Sequence, residues 1–212
     1  MQTCFLTSAF PDGFSEAFVQ ELKATMTHRD HFVFVASAFD EAEKTEKYAK
    51  AILTLFREAD LDFKTLTLLD DRLSDSQIDQ CLKQADVIWL AGGDTLRQHA
   101  SFERIGLREK LKTTNAVIIG MSAGAINMGD HVVLAKQVSD HIPQLSEYRG
   151  LGLTEINLEP HYDSSNTEHK EEILQASRIA PILALCDNAF VKVKDQQIQI
   201  YGEYTVFDHS EK

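Results

Sequence analysis

A serine flanked by glycines, Gly120-Met121-Ser122-Ala123-Gly124, is where this chain most readily places a nucleophile. Residues 116–119 ahead of it, Ala-Val-Ile-Ile, have the composition of a strand buried on both faces. A strand that reverses sharply into a helix needs small residues on both sides of the bend, and Gly120 and Gly124 supply them. Ser122 stands at the apex, with its hydroxyl at the start of the following helix. Unpaired backbone N–H groups there can also stabilise a developing oxyanion. The bare pattern arises by chance in small-residue segments. A strand before it and a helix after it are what separate the two readings.

A serine hydroxyl is a poor nucleophile at neutral pH, so it needs a base, and the base needs a third group to orient it. Of eight histidines, His161 in Leu158-Glu159-Pro160-His161-Tyr162-Asp163 is the favoured base, because Pro160 stiffens the approach to a strand terminus. His141, in a polar irregular loop, is its rival, while His28, His31, His99, His131, His169 and His209 occupy unexceptional helix ends, loops or strand starts. For the acid, Asp140 in Ser139-Asp140-His141-Ile142-Pro143 is preferred by role, with Asp187 at the end of the apolar run 182–186 as the alternative. Asp163 lies too close in sequence to reach the His161 ring comfortably. The N–H groups of Ala123 and Gly93 are the candidate oxyanion donors, the latter in the turn Gly92-Gly93-Asp94-Thr95. By itself that turn reads as a plain tight bend.

The elements that must position these groups alternate. Strands are expected at 3–7, 31–36, 63–68, 87–91 and 116–119, the third nearer an edge, with helices between them. Ser15 is expected to cap one helix, and Ser74-Asp75-Ser76-Gln77 to form a capping box at another. A helix over 41–59 has Tyr48, Ile52, Leu55, Phe56 and Ala59 on its inward face. Beyond Ser122 come short strands near 132–134, 153–158, 182–186, 189–193 and 197–201, a helix over 168–177, and a hairpin turn at 194–197. Such alternation implies βαβ units and a parallel sheet covered on both faces, whose ligands bind beyond the carboxyl ends of the strands. No repeat or linker divides the 212 residues, so one domain over 1–212 is expected.

Composition narrows the function further. A net charge of −12 without any Lys/Arg cluster argues against nucleic acid as a partner. No apolar run approaches a membrane span and the first residues lack a secretory pattern, so the expectation is a cytoplasmic protein that does not engage a membrane. Three cysteines, Cys4, Cys81 and Cys186, are far apart and fit reduced thiols, with Cys4 and Cys186 expected in the core. No metal-ligand motif occurs, and no metal or other cofactor is expected.

Four segments together resemble the peptidase E family of serine peptidases, which includes the aspartyl dipeptidases and, more distantly, cyanophycinase. They are Trp89-Leu-Ala-Gly-Gly-Asp-Thr95, Ile119-Gly-Met-Ser-Ala-Gly-Ala-Ile-Asn127, Ser139-Asp-His-Ile-Pro143 and Leu158-Glu-Pro-His-Tyr162, in matching order and spacing. The resemblance implies a three-layer α/β/α fold with a mostly parallel central sheet, flavodoxin-like and akin to class I glutamine amidotransferases. It places the nucleophile on Ser122 and the base on His161, and leaves both Asp140 and Asp187 as candidates for the acid. Two departures bear on the substrate. Asp94 stands where the family commonly has Asn, which disfavours an acidic substrate unless Asp94 is paired or turned away. The stretch 164–170 offers only Lys170 where the aspartyl dipeptidases carry an arginine.

The leading expectation is therefore a serine hydrolase, with a dipeptidase among its forms, that cuts a small peptide or amide as a monomer or homodimer. The alternatives are a cyanophycinase-like or other amide hydrolase of the same fold, and a small-molecule binding domain without turnover. An α/β-hydrolase esterase is disfavoured, since that fold orders its triad serine, acid, histidine on a larger chain.

Overall fold

The computed structural model describes residues 2–137 and 141–209. The first part of the chain runs β1 (Thr3–Thr7), α1 (Glu16–Thr25), β2 (His31–Val35), α2 (Ala42–Glu58), β3 (Thr65–Leu69), α3 (Asp75–Gln84), β4 (Val87–Leu90), α4 (Thr95–Arg104), α5 (Leu107–Leu111), β5 (Val117–Met121) and α6 (Ala123–Ile126). There follow β6 (His131–Leu134), β7 (Ser146–Arg149), β8 (Asn157–Glu159), α7 (Thr167–Ala176), β9 (Ile182–Leu185), β10 (Phe190–Lys194), β11 (Gln197–Tyr201) and β12 (Tyr204–Phe207).

Seven strands form the main sheet in the order β11-β10-β1-β5-β4-β2-β3. β1 to β5 are mutually parallel, β10 runs antiparallel to β1, and β11 antiparallel to β10. The chain steps outward from β1 to β2 and β3, then back through β4 to β5. Right-handed crossovers therefore put α1 and α2 on one face and α3, α4 and α5 on the other. The period-2 alternation of the strands serves both faces. Leu6, Val35, Ile88 and Ile118 pack with Ile78, Leu82, Phe102 and Leu107, while Phe5, Phe34, Trp89 and Ile119 pack with Phe18, Leu22, Ile52 and Phe56. The chain is an α/β protein whose mostly parallel central sheet is flanked by helices, as its sequence pattern implies.

Local signals explain several boundaries. Ser15 Oγ accepts from the Phe18 N–H at 3.3 Å, and Gln77 Oε1 accepts from the Ser74 N–H at 2.9 Å. Such N-terminal caps are each worth about 1 kcal/mol. The β10–β11 hairpin turns through Asp195 and Gln196, both at positive φ (52° and 65°), the arrangement that matches strand twist. β3 is the edge strand of its side of the sheet.

Elsewhere the structure departs from the sequence expectation. Tyr48 is 48% exposed and does not pack inward; Thr45, Ala49, Ile52 and Phe56 form the buried stripe of α2. The helix after Ser122 is only four residues long. β8 begins at Asn157, because Gly152 at φ 69° and the backbone bonds of 150–154 to 127–130 hold the preceding stretch irregular. β7 and β12, which carry little apolar alternation, are additional strands. Cys4 and Cys81 are buried but Cys186 is only half-buried, and burial pushes the Cys4 thiol up to about 12 and that of Cys81 to about 11. No described helix is long and apolar enough to cross a membrane.

Candidate active site

Parallel strands β1, β4 and β5 end on one edge of the sheet, and each delivers part of the site there. β5 delivers Ser122, whose backbone sits at φ 51° and ψ −115°. For a residue with a Cβ this conformation costs on the order of 1–3 kcal/mol and persists only where its surroundings impose it. They do so tightly. The Ser122 N–H donates to Thr7 O at 2.9 Å, and the Thr7 hydroxyl donates to Gly120 O at 3.1 Å, lashing the turn to β1. On the other side, a Cβ at Gly124 would stand 2.3 Å from Leu90 O and 2.7 Å from Leu90 C, so the elbow lies directly on the backbone of β4. Gly124→Ala is expected to destabilise the protein by about 1–3 kcal/mol or more through overpacking against backbone that cannot yield. Urea unfolding, read as a fall in midpoint at constant m, checks it.

His161, at φ 56°, follows β8 and Pro160. Its Nε2 lies 2.9 Å from Ser122 Oγ, and its Nδ1 lies 2.8 Å from Asp187 Oδ1. A carboxylate can only accept a hydrogen bond, so Nδ1 carries the proton toward Asp187. Nε2 is then left with its lone pair facing the serine hydroxyl. Asp187 comes directly after β9 and Cys186, and the Asn188 N–H beyond it donates to Ala9 O at 2.7 Å. Asp140, the residue favoured as acid from the sequence, lies outside the described residues, and Asp187 occupies the position beside the imidazole. The rival histidine, His141, is exposed, and Ser122 Oγ is bonded to His161.

Ser8 went unnoticed in the sequence because it begins a loop of turn formers, Ser8-Ala9-Phe10-Pro11-Asp12-Gly13. It is fully buried, accepts the His161 N–H at 2.8 Å and donates to Asp187 Oδ1 at 2.9 Å. One hydroxyl thus ties the backbone of His161 to the carboxylate that its ring touches. Ser8→Ala would leave the His161 N–H without its acceptor and remove one donor from Asp187. We expect a loss of about 1–3 kcal/mol of stability, with kcat falling while KM holds. Thermal melts and steady-state kinetics on the same preparation check it.

The Gly92-Gly93 turn after β4 carries the third part. Gly93 has φ 150°, and a Cβ there would stand 2.5 Å from Ser37 Oγ, so the turn admits only glycine. Among the described residues, neither the Gly93 nor the Ala123 N–H has a hydrogen-bond acceptor. A buried polar chain fixes their relative positions. Gln98 donates to Ala91 O at 2.7 Å, Asn127 donates to Gln98 Oε1 at 3.0 Å, and Tyr148 donates to Asn127 Oδ1 at 2.8 Å. Gln98 and Asn127 are essentially inaccessible, so they lock the turn of β4 to the end of α6. Asp94 is accounted for as well: its Oδ1 accepts the Arg97 N–H at 2.9 Å and caps α4. Its charge is spent on a helix start.

No group of three or more His, Cys, Asp or Glu side chains is arranged to hold a metal ion among the described residues. Beside Ser122 a cleft of about 310 Å³ reaches from Gly93 and His161 to Lys44 and Tyr48 on α2. A serine, an imidazole and a carboxylate in hydrogen-bonded series, with two free amides nearby, have the geometry for acyl transfer.

The whole-chain fold is similar to that of two solved proteins. One is a putative peptidase E protein from Listeria monocytogenes EGD-e, 19% identical, with 95% of this chain and 98% of that chain covered and a TM-score of 0.71. The other is a peptidase from an acI-B1 Actinobacterium, 14% identical, with 99% and 91% covered and a TM-score of 0.71. Identities this low speak to the fold alone. Among curated proteins, none matches the chain significantly in sequence. The model of peptidase family S51 matches residues 8–201, nearly the whole chain and every element of the site, and the chain therefore belongs to peptidase family S51.

Proposed function

We propose that this protein is a serine-type hydrolase that cleaves a small peptide or amide through an acyl-enzyme on Ser122. The observation that carries the reading is the series Ser122 Oγ to His161 Nε2 at 2.9 Å and His161 Nδ1 to Asp187 Oδ1 at 2.8 Å. His161 removes the hydroxyl proton as Oγ attacks the scissile carbonyl carbon. The carbonyl oxygen, now an oxyanion, is stabilised by the N–H groups of Gly93 and Ala123. His161 then passes its proton to the departing amine, and the C–N bond breaks. Water, deprotonated by the same imidazole, releases the acyl group and restores Ser122. Asp187 holds the ring in the tautomer that this sequence needs and stabilises the imidazolium formed on the way. Ser122 does not have to move to begin. Its strained backbone already presents the hydroxyl to the base.

Peptidase membership of the family supports the hydrolytic reading, and the two candidate oxyanion donors without acceptors support acyl transfer in particular. The test is hydrolysis of a panel of dipeptides and aminoacyl amides, with products identified by mass spectrometry. Turnover by the wild-type protein that disappears in Ser122→Ala is the expected result. Turnover that survives the substitution unchanged would contradict the assignment of the nucleophile.

A further inference from the structure

His161 is carried by a short strand with little backbone support of its own. β8 is three residues long and forms the edge of its small sheet, paired only with β9. Successive side chains of a strand point to opposite faces. Leu158 enters the core shared with Leu90 and Ile118, whereas Asn157 and Glu159 share the face that α7 covers. On that face Ile173 and Ala176 of α7 pack with Ile182 and Ala184 of β9, the register partners of Asn157 and Glu159. Apolar residues would extend the same packing into β8. Instead both β8 positions are polar and buried, Asn157 being 8% and Glu159 3% exposed. Asn157 Oδ1 accepts the Val133 N–H at 2.8 Å and ties the start of the strand to β6. At its end, Glu159 Oε1 lies 3.2 Å from Nε2 of His169, in the first turn of α7, and both side chains are more than nine-tenths buried. A buried pair of this kind generally stabilises no more than apolar side chains of similar size, so stability alone does not account for it.

What the pair closes is the segment that presents the imidazole. Pro160 alone separates Glu159 from His161, and its ring fixes φ, so a shift at Glu159 passes to His161 with little lost. His161 is at φ 56°, a conformation that its surroundings must impose. Beyond it, residues 163–168 are all exposed and lie between two buried anchors, Tyr162 and His169. The Tyr162 N–H donates to Leu185 O at 2.9 Å, and the Asn166 N–H donates to Asp163 O at 3.0 Å. Asn166 Oδ1 accepts the His169 N–H at 3.1 Å and caps α7. The chain thus leaves β8 at Glu159, presents His161, and returns to Glu159 through His169.

We propose that Glu159 and His169 are positioning residues, a buried carboxyl–imidazole clamp that closes residues 159–169 on themselves and holds the His161 ring between Ser122 Oγ and Asp187 Oδ1. The proposal rests on His161 being the base. The test compares the wild type with Glu159→Met combined with His169→Leu, which replaces the pair by apolar side chains of similar size. Melting temperature, kcat, KM and the rate of Ser122 labelling by a fluorophosphonate are read on each. The melt should stay near wild type and KM within about twofold, while kcat and the labelling rate fall about 100-fold, the scale of a misplacement of about 1 Å. Glu159→Asp keeps the carboxylate but shortens its reach by one methylene, and should lose about tenfold in kcat; it serves alone if the double variant does not fold. In a His161→Ala background the double substitution should change labelling by less than about twofold, since the clamp acts through the ring. Lys136→Met breaks another ion pair of α7, the one with Glu172 at 3.0 Å, and should keep kcat within about twofold. Wild-type kcat in Glu159→Asp or in the folded double variant, an equal loss of labelling with and without His161, or an equal loss of kcat from Lys136→Met overturns the clamp alone. Wild-type Ser122 that fails to label, or labels as fast in His161→Ala, overturns the base and this proposal with it.

Discussion

Ser122→Ala is expected to lower kcat by about six orders of magnitude, to the residual rate that binding and the oxyanion donors sustain without a nucleophile. His161→Ala should cost about as much, and the double variant little more than either alone. Groups that act on one proton transfer form a unit, and losing either member forfeits it. Both side chains sit at the surface end of the sheet, with His161 37% exposed, so neither substitution opens a cavity in the core. The folded protein should persist. Progress curves with the best substrate, on variants whose melting temperatures match the wild type, measure the effect. Approximately additive losses in the double variant would show that Ser122 and His161 do not cooperate.

Asp187→Asn is the second large effect, expected at about four orders of magnitude in kcat. The amide is nearly the same size as the carboxylate but can present an N–H to His161 Nδ1. The ring would then take the other tautomer, with its proton on Nε2 facing Ser122 Oγ, and could no longer accept the serine proton. Ser8 sharpens the contrast, because its hydroxyl already donates to Asp187 Oδ1 and favours an acceptor there. Substrate affinity should change little. Asp140→Asn, by comparison, should stay within a few-fold of wild type in kcat, and a loss from it as large as that from Asp187→Asn would contradict the role given to Asp187.

The difference between these two aspartates shows how far the sequence reaches. Ser122 and the Gly92-Gly93 turn are legible because local backbone chemistry restricts their neighbours to glycine, and such restrictions leave marks at short range. The parallel strands are legible for a similar reason: continuous apolar runs such as Phe32-Val33-Phe34-Val35 fit only a strand covered on both faces. The partner of His161 is a long-range property. It depends on β8 and β9 pairing in parallel, Asn157 opposite Ile182, which brings the ends of both strands to one place. Nothing near Asp140 or Asp187 in the sequence records that register.

Ser8, Gln98 and Asn127 were hidden differently. Each is a buried polar residue with a partner at least 29 positions away in the chain. Ser8 has turn composition around it, and Gln98 sits in a helix whose inward face is Thr95, Gln98 and Phe102, a pattern too polar to mark a core helix. These positions are polar inside because they hold the β4 turn, the elbow and the base against one another. Where a face serves the site rather than the core, hydrophobic periodicity fades, and the sequence becomes hardest to read.

The mechanism requires an activated Ser122, and fluorophosphonate labelling with peptide mapping reads that activation at the residue itself. It predicts a single adduct on Ser122 in the wild-type protein, formed far more slowly in His161→Ala and in Asp187→Asn. Folded wild-type protein that carries no adduct on Ser122, or labels equally well without the imidazole, would contradict it.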